Sequence, residues 1–363
     1  MANYKKFIRN FLVLTGLFIL LNLALWFTFT RRMLDPDYPY PTGDLARTGY
    51  ITASNTPRKT ECDLPKRHIE LMDYRGEKAE VLTVGDSFSL GGAGGKNPYY
   101  QDYIASVHGL SVLNITALSD KARNSTFEIV LALLNKGYLD KLKPRYIVIQ
   151  TAERSAVSRL SGKKDFNNPQ DGKYLGLIDE MIVLDNREYT KPAHKNLPVY
   201  PINNGNMKFL LYNFLYLFSD HAFTSKVCRL PLSRPLFSVN SHELLFYIDD
   251  VLNIREVSGD KVAELNDNLN ALAEKLGKKN IKLYLLIAPD KYDVYSEYII
   301  DNPYQENSFF DELRKLDKKY RFIDTKRILS EAVRKGEKDL YFPDDTHWSN
   351  KASKLLIEAA RFD

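Results

Sequence analysis

From about residue 77 onward, short apolar runs of strand length alternate with longer runs whose apolar residues recur at helical spacing. That alternation is the pattern of a parallel sheet with crossover helices, and few other folds accommodate it. The strand-like runs fall at residues 79–84, 110–115, 145–150, 281–288 and 320–323. Asn124, Ser125 and Thr126 offer caps to a helix over residues 127–142. Ser258 and Asp260 precede a helix with Val262, Leu265, Leu269, Leu272 and Leu276 on one face, and a last helix carries Ala352, Leu355, Leu356 and Ala359. The expected fold is α/β, with helices on both faces of a parallel sheet.

Residues 160–257, approximately, break the alternation and read as a mostly helical insertion. Within it, residues 207–218 form a very apolar helix candidate, too short to cross a bilayer. Such a helix either packs on the α/β core or meets the membrane or a membrane-bound partner. The chain shows no internal repeat and no low-complexity tract.

Ahead of this body, residues 11–30 form an apolar run broken only by Thr15, Gly16, Asn22, Thr28 and Thr30. Twenty helical residues reach about 30 Å, the thickness of a bilayer's hydrocarbon core. Trp26 and Phe27 suit an interfacial belt. The run is long for a signal-peptide core, and Thr28-Phe29-Thr30-Arg31-Arg32 offers no small-residue cleavage site, so residues 1–32 read as a cytoplasmic stub and an uncleaved transmembrane anchor. Residues 33–76, opening on the proline-rich Asp35-Pro36-Asp37-Tyr38-Pro39-Tyr40-Pro41, read as an extended spacer and lead-in, and residues 77–363 as the functional domain.

Charge supports export and excludes one class of function. Lys5, Lys6, Arg9, Arg31 and Arg32 flank the apolar run, and no acidic residue precedes Asp35. The bias places the amino terminus inside and the body outside. Those five account for the whole excess of 51 basic over 46 acidic residues, so the body is formally neutral and has no electrostatic footprint for nucleic acid. Cys62 and Cys228 are the two cysteines. They lack metal-ligand spacing, and an exported body leaves either a disulfide or two buried thiols open.

Two distant segments carry chemistry. The first strand-like run stops at Gly85-Asp86-Ser87, where a strand meets a turn. Near the other end stands Pro343-Asp344-Asp345-Thr346-His347-Trp348. In open α/β sheets, sites form outside the carboxyl ends of the strands, where both segments fall. A serine hydroxyl needs a base within hydrogen-bond reach, and the base needs a third group to hold its tautomer. Ser87 as nucleophile, His347 as base and Asp345 as orienting acid supply the parts, with Asp344 as the alternative acid. Ser89 is more plausible as a helix cap. His68, His108, His194, His221 and His242 lack an adjacent aspartate pair.

Gly85-Asp86-Ser87 and the closing Asp-x-x-His resemble two signature blocks of the SGNH hydrolase superfamily. Longer strings narrow the resemblance: Gly85-Asp86-Ser87-Phe88-Ser89, Ala152-Glu153-Arg154, Ala288-Pro289-Asp290-Lys291-Tyr292-Asp293-Val294-Tyr295 and Asp345-Thr346-His347-Trp348 are similar to the SGNH-like O-acetyltransferases of alginate and related exopolysaccharides. The resemblance implies a three-layer, flavodoxin-like α/β/α domain in the bacterial inner membrane, facing the periplasm or cell exterior. It implies acetyl transfer to a polysaccharide acceptor through an acetyl-serine, with a membrane-bound O-acyltransferase as donor and no metal or organic cofactor. Glu153, Arg154, Lys291, Tyr295 and Trp348 become candidates for substrate binding or oxyanion support.

Two departures stand out. In the alginate proteins the Asp-Thr-His-Trp segment precedes the Gly-Asp-Ser segment, whereas here it follows, as in ordinary SGNH hydrolases. The Gly-x-Asn-Asp block expected after the third strand is replaced by Thr151-Ala152-Glu153-Arg154, which removes the usual asparagine oxyanion donor. An esterase or deacetylase with the same triad, and a non-catalytic assembly factor of a polysaccharide export complex, are the alternative readings.

Overall fold

The computed structural model describes residues 2–35, 38, 42–52, 56–59, 62–115, 126–166 and 199–363. Its centre is a six-stranded parallel sheet built from β1 (Ile69–Glu70), β2 (Val81–Val84), β3 (Val112–Asn114), β4 (Tyr146–Ala152), β7 (Lys282–Ala288) and β8 (Arg321–Ile323), in the order β1-β3-β2-β4-β7-β8. The five expected strands are all present, each within a few residues of its expected bounds. β4 is buried along all seven residues, which is why it reads as a near-continuous apolar run.

Side chains alternate across the sheet. Leu82, Val84, Ile147, Ile149, Leu283, Leu285 and Ile287 join one core, and Val81, Val148, Tyr284 and Leu286 join the other. In chain order, the main helices are α1 (Ala2–Leu25), α2 (Asp44–Gly49), α3 (Tyr100–His108), α4 (Thr126–Asn135), α5 (Glu153–Leu160), α6 (Asn204–Leu215), α7 (Gly259–Gly277), α8 (Phe309–Lys315), α9 (Thr325–Arg334) and α10 (Asn350–Ala359). α4, α5, α7 and α8 cover the first face, and α3, α9 and α10 the second. This is the expected three-layer arrangement. The helix expected over residues 127–142 is interrupted, because Gly137 takes a left-handed φ of 75° and the chain restarts as Tyr138–Leu142. α7 begins where expected, with the Ser258 side chain accepting from the Lys261 amide.

Strand order fixes the place of the site. From β2 the chain moves to β3 on one side, then returns to β4 on the other. The crevice of such a sheet opens where the order reverses, at the carboxyl ends of β2 and β4.

Two expectations need correction. Residues 33–76 are not simply an extended lead-in: α2 is a buried helix, Leu45 and Ala46 are fully buried, and β1 pairs with β3 at the sheet edge. A proline-rich start hid this, because short elements held by tertiary contacts leave no periodicity in the sequence. The insertion is also less helical than expected. Its described part pairs α6 with an antiparallel hairpin of β5 (Val227–Pro231) and β6 (Glu243–Tyr247). Residues 167–198 of that insertion lie outside the described residues. Of the two cysteine states the sequence left open, free thiols are the one present: Cys62 accepts from Asn350, and Cys228 lies beside the Tyr304 hydroxyl.

At the amino terminus, residues Tyr4–Leu34 form one apolar helical span, long enough to cross a membrane, that passes through a π-helical turn at Trp26–Thr30.

Candidate active site

Ser87 opens a short 3-10 turn, Ser87–Leu90, immediately past β2. Asp86 caps that turn: its Oδ1 accepts from the Phe88 amide at 3.2 Å. Asp86 Oδ2 accepts from the Ala152 amide at 2.7 Å and from Arg159 Nη1 at 2.6 Å. One carboxylate thus ties the serine turn to the end of β4. Ser89 is fully buried and bonded to Gln150 Oε1 and the Tyr100 hydroxyl, so it braces the turn and does not face the crevice.

Across the crevice lies the loop before α10, closed by an antiparallel bridge between Tyr341 and Trp348. His347 Nε2 is 2.8 Å from Ser87 Oγ, and His347 Nδ1 is 2.6 Å from Asp345 Oδ1. Asp345 Oδ1 also accepts from the His347 amide at 2.9 Å. The three residues named from the sequence therefore form one hydrogen-bonded chain, although Ser87 and His347 are 260 positions apart. Asp344 turns the other way, accepting from the Gly43 amide at 2.8 Å and pairing with Arg58. The Gly92 Cα sits so close to the imidazole that an added Cβ would lie 2.5 Å from His347 Nε2.

Electrostatics follow from burial and pairing. For Asp345, burial favours the neutral acid, but the His347 charge and hydrogen bond, with Arg58, hold its carboxyl well below the usual range. For His347, burial works against the imidazolium, and Asp345 outweighs it, so the net shift is upward. Arg58 Nη2 donates to Asp345 Oδ2 at 2.8 Å, and its Nε to the Ala93 carbonyl at 2.8 Å. Its guanidinium lies 4.5 Å from the Phe342 ring centroid.

Asp44, the first residue of α2, is a further polar group of the site. Its Oδ1 accepts from the Thr346 amide at 2.8 Å, and its Oδ2 is 3.8 Å from His347 Nδ1. Burial and the Asp345 charge push its pKa up to about 7. Neither Asp44 nor Arg58 was singled out from the sequence. Both lie in the proline-rich lead-in, in no motif, and long-range folding alone brings them here.

Of the five residues expected to bind substrate or oxyanion, four are buried in structural contacts and Arg154 stays partly open. Lys291 is fully buried, and its ammonium donates to the carbonyls of Phe342 at 2.7 Å, Pro343 at 3.1 Å and Asp345 at 3.2 Å. Burial lowers its pKa to about 7. Tyr295 is buried, and its hydroxyl accepts from the Tyr341 amide at 3.3 Å. Trp348 is buried, edge-on to Phe88 with centroids 4.8 Å apart. These three hold the histidine loop rather than meeting solvent. Glu153 is buried, accepts from the Asp290 amide at 2.9 Å, and is pushed toward its neutral form by burial and by the charges of Asp293 and Asp290. Arg154 pairs with Asp290 at 2.7 Å and Asp250 at 3.2 Å. It keeps 17% of its side chain exposed, the most open of the five.

Asp44, Asp345 and His347 each offer a ligand atom within 4.8 Å of the others. A cation there would face the Arg58 guanidinium on Asp345 Oδ2 and would break the Asp345–His347 hydrogen bond. The donor set suits an imidazole held between carboxylates better than a metal ion.

The sheet order and the covering helices define a parallel α/β domain, whose carboxy-terminal part is SGNH-like. Residues 243–360 match the family model described as SGNH hydrolase-like domain, acetyltransferase AlgX. That third of the chain contains Lys291, Asp344, Asp345, His347 and Trp348, and stops short of Ser87. The comparisons with curated proteins and with solved structures each return no match.

Proposed function

We propose that this chain is a membrane-anchored O-acetyltransferase acting on a polysaccharide outside the cytoplasm, through Ser87, His347 and Asp345. The observation that carries the reading is the continuous hydrogen-bonded chain from Ser87 Oγ through His347 to Asp345. The AlgX-type family match over the Asp-His segment supports acetyl transfer. The apolar amino-terminal span supports a single-pass anchor, and the basic residues ahead of it support a body facing the periplasm or cell exterior.

In the first half-reaction His347 Nε2 takes the proton of Ser87 as Oγ attacks the acetyl carbonyl. Asp345 holds Nδ1–H and stabilises the imidazolium. The Ser87 N–H opens a helical turn, a position without an intrahelical partner, and faces the developing oxyanion. His347 returns the proton to the leaving group, which leaves acetyl-Ser87. In the second half, His347 deprotonates a sugar hydroxyl, that oxygen attacks the acetyl carbonyl, and Ser87 Oγ departs with the proton. The donor is an acetylated group presented by a membrane-bound O-acyltransferase.

Hydrolysis is the second reading. It is favoured by the chain order, serine first and Asp-His last, which is that of ordinary SGNH hydrolases. One experiment separates the two. The protein is acetylated with p-nitrophenyl acetate, the adduct is mapped by mass spectrometry, and its discharge is followed with and without an added polyuronate or neutral exopolysaccharide. Transfer predicts acetyl on Ser87 and faster discharge with a glycan, which becomes acetylated. Discharge to water at an unchanged rate across the glycan panel would select the esterase reading, and acetyl on another residue would remove the triad.

A further inference from the structure

The anchor helix is already joined to the body before its apolar run ends. Asn22 is fully buried, and Leu25, Trp26, Thr30 and Met33 are buried after it. The joint is made with α6. Asn206 donates to Asn22 Oδ1 at 3.0 Å and accepts from Thr30 Oγ1 at 2.5 Å, and Phe209 stacks on Phe29 with centroids 4.9 Å apart. Before this joint the anchor is exposed, including Phe7, Phe11, Leu14, Leu17, Phe18 and Leu21. Residues 7–21 reach only about 22 Å along a helix, against a hydrocarbon core of about 30 Å. The joint must therefore lie inside the outer part of the span, and α6 lies at that depth beside it.

α6 has two apolar faces. Phe209 and Asn206 turn to the anchor, while Leu210, Leu211 and Phe214 are exposed, continued beyond the helix by Leu217 at 74% and Phe218 at 66% exposure. The Phe214 and Phe218 rings pack edge to face, 5.3 Å apart. The spacing gives one uninterrupted stripe, and a stripe of five large apolar side chains facing water is unfavourable. We propose that α6 and the turn after it are embedded in the outer leaflet, with Leu210, Leu211, Phe214, Leu217 and Phe218 against lipid acyl chains. The chain then has a second, monotopic membrane contact beside its anchor. This rests on the reading of Tyr4–Leu34 as a membrane span.

The contact also sets the height of the site. Asn213 of α6 donates to the Tyr50 carbonyl at 2.8 Å, just past α2, which carries Asp44. The Tyr216 hydroxyl, at the end of α6, donates to the Val227 carbonyl at 2.8 Å, and β5 packs against α2. An embedded α6 holds the crevice at a fixed distance and tilt above the bilayer instead of leaving it to swing on a tether.

The test reads lipid exposure directly and needs no activity. The full chain, in a C62S/C228A background, is spin-labelled one site at a time through L211C, F214C and L217C. It is reconstituted into phosphatidylcholine–phosphatidylglycerol vesicles, and collisions with oxygen (lipid-soluble) and a nickel chelate (water-soluble) are measured. L14C in the anchor and K278C at the exposed end of α7 are the references. The proposal expects the three labels on α6 and the turn after it to match L14C in preferring oxygen, with nickel collisions several-fold below K278C. Nickel access equal to K278C, with L14C still in lipid, overturns the embedding and leaves the anchor standing. Labels shielded from both reagents place a protein on this face and equally overturn it. Nickel access at L14C removes the anchor and the proposal together.

Discussion

Asp345 Oδ1 accepts two hydrogen bonds from one residue, His347, through the ring Nδ1 at 2.6 Å and the main-chain amide at 2.9 Å. Two positions of separation suffice because the loop turns back on itself. The same contact fixes both the imidazole tautomer and the backbone that presents it. Asp344, next in the chain, faces away toward Gly43 and Arg58. Asp345→Asn should therefore lower the rate of acetyl-ester turnover by about 10⁴-fold, as expected when the imidazole is held in the wrong tautomer. Asp344→Asn keeps an acceptor for Gly43 and should cost little turnover. Side-by-side kcat values decide it, and the reverse ranking would assign the orienting role to Asp344.

Ser87→Ala should abolish the p-nitrophenol burst and the acetyl adduct. Ser89→Ala should keep both and instead lower thermal stability, because it removes a buried hydroxyl bonded to Gln150 and Tyr100. An adduct that survives Ser87→Ala refutes the assignment of the nucleophile.

Gly92→Ala tests whether the site depends on close backbone approach. The added Cβ would sit 2.5 Å from His347 Nε2 and 2.8 Å from the Ser87 carbonyl oxygen, so the ring must move. A displacement near 1 Å is enough to cost about 10²-fold in rate. The expected result is slow acylation, with some loss of melting temperature because the Ser87 carbonyl of the main chain must also shift. A variant as fast as the parent would mean that the loop yields without moving the imidazole.

What could be read from the chain, and what could not, divides along contact range. The α/β alternation and the strands ending at Val84 and Ala288 were legible because each depends on a local run of side chains. The hydrogen-bonded set of Ser87, Asp345 and His347 was legible as two short strings, one just past β2 and one in the loop before α10. Lys291 could not be placed from the sequence, because its context shows a charge and not the three carbonyls it donates to. Arg154 was singled out without its partners, since Asp250 belongs to the insertion and Asp290 to the end of β7. Arg58 and Asp44 carried no local signal at all.

Arg58 is the cation between two buried carboxylates. Arg58→Ala leaves Asp344 and Asp345 without it, a change of the kind that destabilises by about 3–5 kcal/mol. Denaturant midpoints of the full chain in detergent measure this. Arg58→Lys should recover only part of the loss, since an ammonium lacks the fork that reaches both acids and the Ala93 carbonyl. A neutral effect of Arg58→Ala would show that the lead-in does not support the site.

The acid limb of the pH profile tests Asp44. The base must be neutral imidazole, so turnover rises as pH rises through the His347 pKa, which lies above the ordinary 6.5. Asp345 is the main cause of that rise once burial is overcome, and Asp44 adds to it. Asp44 itself titrates near pH 7, so above that pH it places a second negative charge 3.8 Å from Nδ1 and favours the imidazolium. Asp44→Asn removes this charge, and its amide oxygen can still accept from the Thr346 amide. The His347 pKa should then fall, the neutral base should appear at lower pH, and the acid limb should move toward acid. The measurement is kcat/KM for an acetyl ester against pH in parent and variant. A limb that stays in place would make Asp44 a loop brace only. A limb that moves toward alkali would contradict the assigned sign and the arrangement of charges around His347.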